Sequence, residues 1–365
     1  MNPFKYVLCL SAILVPILSY GAIPAAWETP LETKIGQMIC TGFQGTNSTQ
    51  KPIKELKKLI SQKKIGCVIL YNHNIQNPEQ TQALIRTLKE SSPTDYPLLV
   101  AIDQEGGYVQ RLKTKKGFPK FPSAKKIGHA YSYNQARRNY ERMAELLKEL
   151  GVNLNLGVVL DLEKNKDSVL ISKKERSFSD TPFVVSHYAK IMIDAHKTQN
   201  VLTAIKHYPG HGSTAVDTHD KLANISKTWS QQELIPYKSL ISADKVDIIM
   251  TSHVLNRNVD PKLPASLSQK HIQGQLRQTL NYQGVVISDD LQMNAIRKNY
   301  SLDTILTNSI NAGTDILLFG SIGKENSTLP LTISNKIKVA IENGSILPEH
   351  IDLAFIRIMR LKQRL

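Results

Sequence analysis

Ala204-Ile205-Lys206-His207-Tyr208-Pro209-Gly210-His211-Gly212, followed by Asp217-Thr218-His219, is the stretch around which the chain is organised. Val201 to Ile205 is a short apolar run behind the turn residues Gln199-Asn200, the pattern of a buried parallel strand. The run stops at Lys206 and His207. Pro209, Gly210 and Gly212 then predict an irregular loop in which glycine takes positive φ. In α/β proteins ligands bind at the carboxyl ends of parallel strands. The stretch therefore delivers a lysine, three histidines and an aspartate to the place where such enzymes do chemistry.

Working outward, similar apolar runs recur. Met38–Phe43, Gly66–Leu70, Leu98–Ile102 and Val152–Val159 precede the central strand, and Val246–Met250, Gly284–Ser288 and Asp315–Phe319 follow it. Helical spacing of apolar residues separates them, at Ile53–Ile60, Glu79–Glu90, Asn134–Leu150, Phe183–Thr198 and Ser301–Ala312. Asn134 is the expected cap of its helix and Gly151 its stop; Pro182 stands at a first helical position, and Gly313 ends a helix. Ser230-x-x-Glu233 reads as a capping box. Leu331–Glu342 and Pro348–Lys362 close the chain as helices. Eight strands alternating with helices predict an α/β fold, a single (β/α)8 TIM-type barrel. A doubly wound sheet is the alternative, but Gly42-Phe43-Gln44-Gly45 lacks the spacing of a phosphate-binding fingerprint. No Pro/Ser/Gly-rich linker divides the chain, so residues 22–365 read as one domain.

Composition is that of an ordinary globular protein, 41% hydrophobic and 21% charged over 365 residues. The net charge of +15 favours anionic surfaces, but no basic run interleaved with aromatics supports nucleic-acid binding. Lys5, the uncharged apolar stretch Tyr6–Tyr20 and the small residues at Ser19 and Gly21 have the anatomy of a secretory signal peptide over Met1–Gly21. A periplasmic location follows as an expectation, with no stable membrane insertion after cleavage. Cys40 and Cys67 fall in strand-like runs. Buried free thiols are the expectation, and an oxidising compartment would also permit a disulfide.

Polar residues stand at most predicted strand ends: Asp103-Gln104-Glu105-Gly106-Gly107 and Arg111 after the third, Arg176-Ser177-Phe178 in the long segment after the fourth, Lys206, His207, Asp217 and His219 after the fifth, His253 after the sixth, and Asp289-Asp290 after the seventh. Singly, each has an ordinary explanation. Asp103 and Asp290 could cap helices, Arg111 could be a surface residue, and His253 could be a satisfied buried histidine. Together they gather at one end of one barrel. No zinc spacing and no Gly-x-Ser-x-Gly elbow occurs, so no metal or cofactor is implied. Asp and Arg pairs suit vicinal hydroxyls, and a strand-end carboxylate can attack an anomeric carbon.

Lys206-His207-Tyr208-Pro209-Gly210-His211-Gly212 with Asp217-Thr218-His219 resembles the signature of family-3 glycoside hydrolases of the β-N-acetylglucosaminidase type. So do Asp103-Gln104-Glu105-Gly106-Gly107, Arg176-Ser177-Phe178, Leu263-Pro264-Ala265-Ser266 and Ser288-Asp289-Asp290-Leu291-x-Met293. The resemblance runs from about Leu31 to the C-terminus. It implies a barrel that removes terminal β-linked N-acetylglucosamine with retention, in peptidoglycan turnover, acting on a glycan or muropeptide. It also implies Asp289 as nucleophile, His219 as general acid/base oriented by Asp217, and Asp103, Arg111, Arg176, Lys206 and His207 as sugar-binding residues. Tyr108 departs from the pattern, standing where this subfamily often has arginine. Two rival expectations are a glycoside phosphorylase, whose histidine base would not repel phosphate, and a non-catalytic wall-binding protein on the same fold.

Overall fold

Cys67-Val68-Ile69-Leu70 is buried at every position. The same holds for every other strand of its eight-stranded sheet, as expected when both faces of a parallel sheet are covered. The structure, a computed structural model, describes residues 26, 28–218, 221–320 and 328–365. Its barrel strands are β1 Ile39–Thr41, β2 Cys67–Leu70, β3 Leu99–Ile102, β4 Leu154–Val159, β5 Leu202–Tyr208, β6 Ile248–Thr251, β7 Val285–Ser288 and β8 Leu317–Phe319. Neighbours in chain order pair in parallel, and β8 pairs back onto β1. A bridge between Ile287 and Ile316 joins β7 to the approach of β8. The expected (β/α)8 barrel is therefore present.

Side chains alternate across the barrel wall. Cys67, Ile69, Leu99, Ala101, Ile248, Met250, Val285 and Ile287 belong to one apolar cluster. The intervening Val68, Leu70, Val100, Ile102, Ile249 and Val286 belong to a second, shared with the helices. The first set fills the barrel. Ile69 and Met250 of this set, with Leu156 and Leu318 of the same cluster, line the cavity described below.

Local details differ from the sequence reading in instructive ways. Beyond Lys206 and His207, which stand at its carboxyl end as expected, β5 continues to Tyr208, with its register against β6 shifting between Ile205 and Tyr208. The Lys206–His207 and Tyr208–Pro209 peptides are cis. Of the two loop glycines, only Gly210 has positive φ. At Gly212 the requirement is space, because a Cβ there would run into the carbonyl of Leu162. The long helix is Tyr133–Leu150, and its cap is Ser132, not Asn134: Ser132 and Gln135 form a reciprocal capping box. Gly151 ends it in the left-handed region. Conversely, Ser230 caps nothing with its side chain, and Glu233 is drawn away into the protein. Cys40 and Cys67 sit opposite each other in register on β1 and β2 and are joined as a disulfide, not free thiols. No described helix is long and apolar enough to cross a membrane. The expected signal peptide lies outside the described residues.

Candidate active site

The carboxyl ends of the strands enclose a cavity of about 300 Å³. Beyond β3 the chain makes a short antiparallel hairpin, Gln104–Gly106 against Val109–Gln110. Gly106 and Gly107 turn it with φ of 99° and 59°. The hairpin places Glu105, Val109 and Arg111 on the cavity wall beside Asp103. Arg176 enters from the long segment after β4, Lys206 and His207 from β5, and Asp289 and Asp290 from the end of β7.

These groups form one connected network. Lys206 Nζ lies 2.8 Å from Asp103 Oδ1 and 2.7 Å from Glu105 Oε1. Arg111 Nη2 donates to the other Asp103 oxygen at 2.8 Å, and its guanidinium lies over the Tyr71 ring. Arg176 grips Glu105 with two bonds, Nη2 to Oε1 at 2.7 Å and Nε to Oε2 at 2.8 Å. Burial alone would raise the Asp103 carboxyl, but Lys206 and Arg111 outweigh it and hold Asp103 well below the usual carboxylate range. Burial opposed by Arg176 and Lys206 leaves Glu105 at about 2. Burial would likewise discharge Lys206, yet Asp103 and Glu105 raise it above its ordinary value. The charges are thus fixed across the neutral range.

His207 is held from both sides. Asp161 Oδ2 accepts its Nδ1–H at 2.6 Å. Its Nε2 lies 3.2 Å from Arg176 Nη2, which can only donate. These partners select the Nδ1–H tautomer. Asp161 also accepts the backbone N–H of His211 at 2.7 Å. Burial would raise its carboxyl, but His207 and His211 bring it below the ordinary value. Asp161 was not among the residues singled out from sequence, although it stands two residues beyond β4 and obeys the same strand-end rule. Glu233, read there as a cap, packs under the loop after β5, where Oε2 accepts from Gly212 N at 3.3 Å. Burial beside Asp161 pushes its carboxyl up to about 8.

The adjacent aspartates are distinguished by their partners. Asp290 Oδ1 accepts the N–H groups of Gln292 at 3.0 Å and Gly320 at 2.9 Å. Its carbonyl accepts from Met293 N and from His253 Nε2, and His253 Nδ1 lies 2.7 Å from Ser266 Oγ. Asp290 therefore ties the turn after β7, with His253 behind it. Asp289 is half-buried on the cavity wall, and its Oδ1 accepts Asp290 N at 2.8 Å.

The structure thus brings Asp103, Arg111, Arg176, Lys206, His207 and Asp289 to one cavity. Asp217 lies on the loop after β5, its carbonyl accepting from Lys221 N. Its neighbour Thr218 lines the cavity, with Oγ1 3.1 Å from His211 Nε2. His219 lies outside the described residues.

Residues 30–361 match the model of the glycosyl hydrolase family 3 N terminal domain. The chain belongs to glycosyl hydrolase family 3. Beta-hexosaminidase of Tolumonas auensis is 32% identical to this family-3 chain over 272 residues, covering 72% of the chain and 78% of the relative. Beta-hexosaminidase A of Pseudoalteromonas piscicida is 31% identical over 343 residues, 85% of this chain and 55% of that protein. A solved family-3 β-N-acetylglucosaminidase from Paenibacillus sp. superposes with a TM-score of 0.84 at 33% identity, covering 92% of this chain and 62% of that one. The chain thus spans somewhat over half the length of these last two family-3 proteins.

Proposed function

We propose that the protein is an exo-acting, retaining β-N-acetylglucosaminidase that removes terminal N-acetylglucosamine from peptidoglycan fragments in the periplasm. One observation carries the reading. Asp289 lines a cavity at the small end for ligand pockets together with the network of Asp103, Arg111, Lys206, Glu105, Arg176 and His207. The names of the relatives support the aminosugar, and the N-terminal signal-like stretch supports export. In this reading Asp103 and Arg111 grip vicinal hydroxyls, and Lys206, Arg176 and His207 position the remaining polar groups of the sugar.

Asp289 then attacks the anomeric carbon and the glycosidic C–O bond breaks. Its electron pair stays on the aglycone oxygen, which takes a proton from the His219 imidazolium. In the second half-reaction water attacks the same carbon, His219 takes the water's proton, and Asp289 leaves as carboxylate. Histidine suits this double role because its ordinary pKa lies near neutrality. Asp217, two residues earlier, orients the imidazole and stabilises its charged form.

The test is hydrolysis of a chromogenic β-N-acetylglucosaminide beside the matching β-glucoside, with and without phosphate. Turnover of the aminosugar alone, independent of phosphate, is the expected result. Phosphate-dependent turnover would make the protein a phosphorylase, and inertness toward both would leave a wall-binding protein.

A further inference from the structure

The loop after β5 leads from the sugar-facing Lys206 and His207 to Asp217, and its first residues are fastened to the barrel from several sides. Trp229 Nε1 donates to the Pro209 carbonyl at 3.0 Å. His211 N donates to Asp161 Oδ1 at 2.7 Å. Gly212 N donates to Glu233 Oε2 at 3.3 Å, and the Gly212 carbonyl accepts from Asn165 N at 3.1 Å. A Cβ at Gly210 would run into the Glu233 side chain, and one at Gly212 into the Leu162 carbonyl. The backbone on both sides of His211 is therefore fixed, and with it the direction of the His211 ring.

That ring reaches back to the far end of the same loop. His211 Nε2 lies 3.1 Å from Thr218 Oγ1, seven residues on. Both residues are only 2% exposed and both line the candidate active site, whereas Ala215 and Val216 between them are exposed. The loop thus bulges into solvent and is drawn closed at its base. Burial, opposed by Asp161, leaves the His211 imidazole at about 4, so it is neutral near neutrality and has one nitrogen that donates and one that accepts. Its Nδ1 is buried with no hydrogen-bond partner among the described residues. The Thr218 hydroxyl is then the one hydrogen-bond partner this ring has among them. Releasing Thr218 would leave a buried imidazole with none, which is costly. His211 therefore holds Thr218 against the cavity wall, and Thr218 stands between Asp217 and His219 in the chain.

We propose that His211 is a positioning residue for proton transfer: by binding the Thr218 hydroxyl it fixes the peptide units on either side, those of Asp217 and His219. The proposal rests on the acid/base reading above and adds the group that sets the geometry of the pair. Proton transfer needs the acid within hydrogen-bond reach of the leaving oxygen, so a slackened tether costs rate without costing sugar binding.

Thr218→Val keeps the shape of the side chain and removes only the hydroxyl, so the fold is retained. Two substrates separate the roles: methyl β-N-acetylglucosaminide, whose leaving group needs a proton, and the dinitrophenyl glycoside, whose leaving group does not. In kcat/KM, which reports glycosylation, Thr218→Val is expected to lose about tenfold on the methyl glycoside and to stay within about twofold on the dinitrophenyl glycoside. Inhibition by free N-acetylglucosamine should be unchanged. Thr218→Ser, which keeps a hydroxyl, should recover most of the loss. His211→Leu should show the same selective loss, and His211→Leu/Thr218→Val should be no slower than the slower single variant, because both changes remove one bond. Wild-type rates in Thr218→Val, equal losses on the two glycosides, or additive losses in the double variant overturn the proposal. If His219→Ala itself does not discriminate between the two leaving groups, the acid/base reading fails and this proposal falls with it.

Discussion

Gly212 N donates to Glu233 Oε2 at 3.3 Å, so a carboxyl buried to 1% exposure lies directly beneath the loop that leads to Asp217. Asp161 and Lys164 act on it from the neighbouring segment, and Tyr237 lies within its field. Its carboxyl is raised to about 8, chiefly by burial and then by Asp161. The folded protein therefore holds this proton where the unfolded chain, at a glutamate's ordinary value, has released it. Glu233 thus contributes stability that is complete below about pH 4.5 and is lost as pH rises toward 8. Each unit of pKa difference is worth about 1.4 kcal/mol, so a few kcal/mol are at stake. Glu233→Gln should remove this component. Denaturation of both proteins from pH 5 to 8.5 should show the wild type losing stability relative to the variant as pH rises; parallel curves would contradict it.

Arg176 and Glu105 are both nearly inaccessible and joined by two short bonds. Removing Arg176 leaves the buried Glu105 only Lys206, a cation it shares with Asp103. Arg176→Ala should cost about 3–5 kcal/mol in chemical denaturation, and Arg176→Lys less, because it keeps the charge but loses the fork. Equal losses for the two variants would show that charge, not bidentate geometry, is what matters there.

Asp161 fixes the tautomer of His207. In Asp161→Asn the amide can donate to His207 Nδ1, which would move the ring proton to Nε2 and set it against the Arg176 guanidinium. Loss of one charge-assisted bond is worth about 1.5–3 kcal/mol. A fall of roughly 10- to 100-fold in kcat/KM is expected, with the two-dimensional NMR signature of the ring shifting from Nδ1–H to Nε2–H. Full activity with an unchanged tautomer would remove Asp161 from this role.

The proton shuttle gives a separate test. His219→Ala should slow turnover by about 10²–10⁴-fold where proton transfer matters, and less in the glycosylation step for substrates with very acidic leaving groups. Equal losses for good and poor leaving groups would make His219 a sugar ligand only. Asp217→Asn should shift the pH profile of the catalytic step, and an unmoved profile would take it out of the dyad.

The barrel was legible because its eight strands are short apolar runs that must be covered on both faces, and that pattern survives without any knowledge of contacts. The cavity residues were legible through a single rule, that polar side chains at strand ends face a common site. What escaped was decided by tertiary packing. Ser230-x-x-Glu233 has capping-box spacing, yet Glu233 instead serves Gly212, a partner distant in sequence. Asp161 obeys the strand-end rule, but its role shows only in its bonds to His207 and to His211 N. Cys40 and Cys67 look like two buried thiols until strand register sets them opposite one another. Lys206 and His207, polar residues in a buried strand, are held there by partners distant in sequence, Lys206 by Asp103 and Glu105 and His207 by Asp161.

The two aspartates after β7 carry the central claim. Both line the cavity, but Asp290 Oδ1 accepts two backbone N–H groups that tie the turn, whereas Asp289 Oδ1 accepts Asp290 N. A retaining mechanism passes through a covalent bond to one carboxylate. The decisive measurement is to trap the protein with a slow fluorinated N-acetylglucosaminide and map the labelled peptide by mass. The label is expected on Asp289, with Asp289→Ala inactive but still able to bind product. A label on Asp290, or release of sugar with inverted anomeric configuration, would contradict the account.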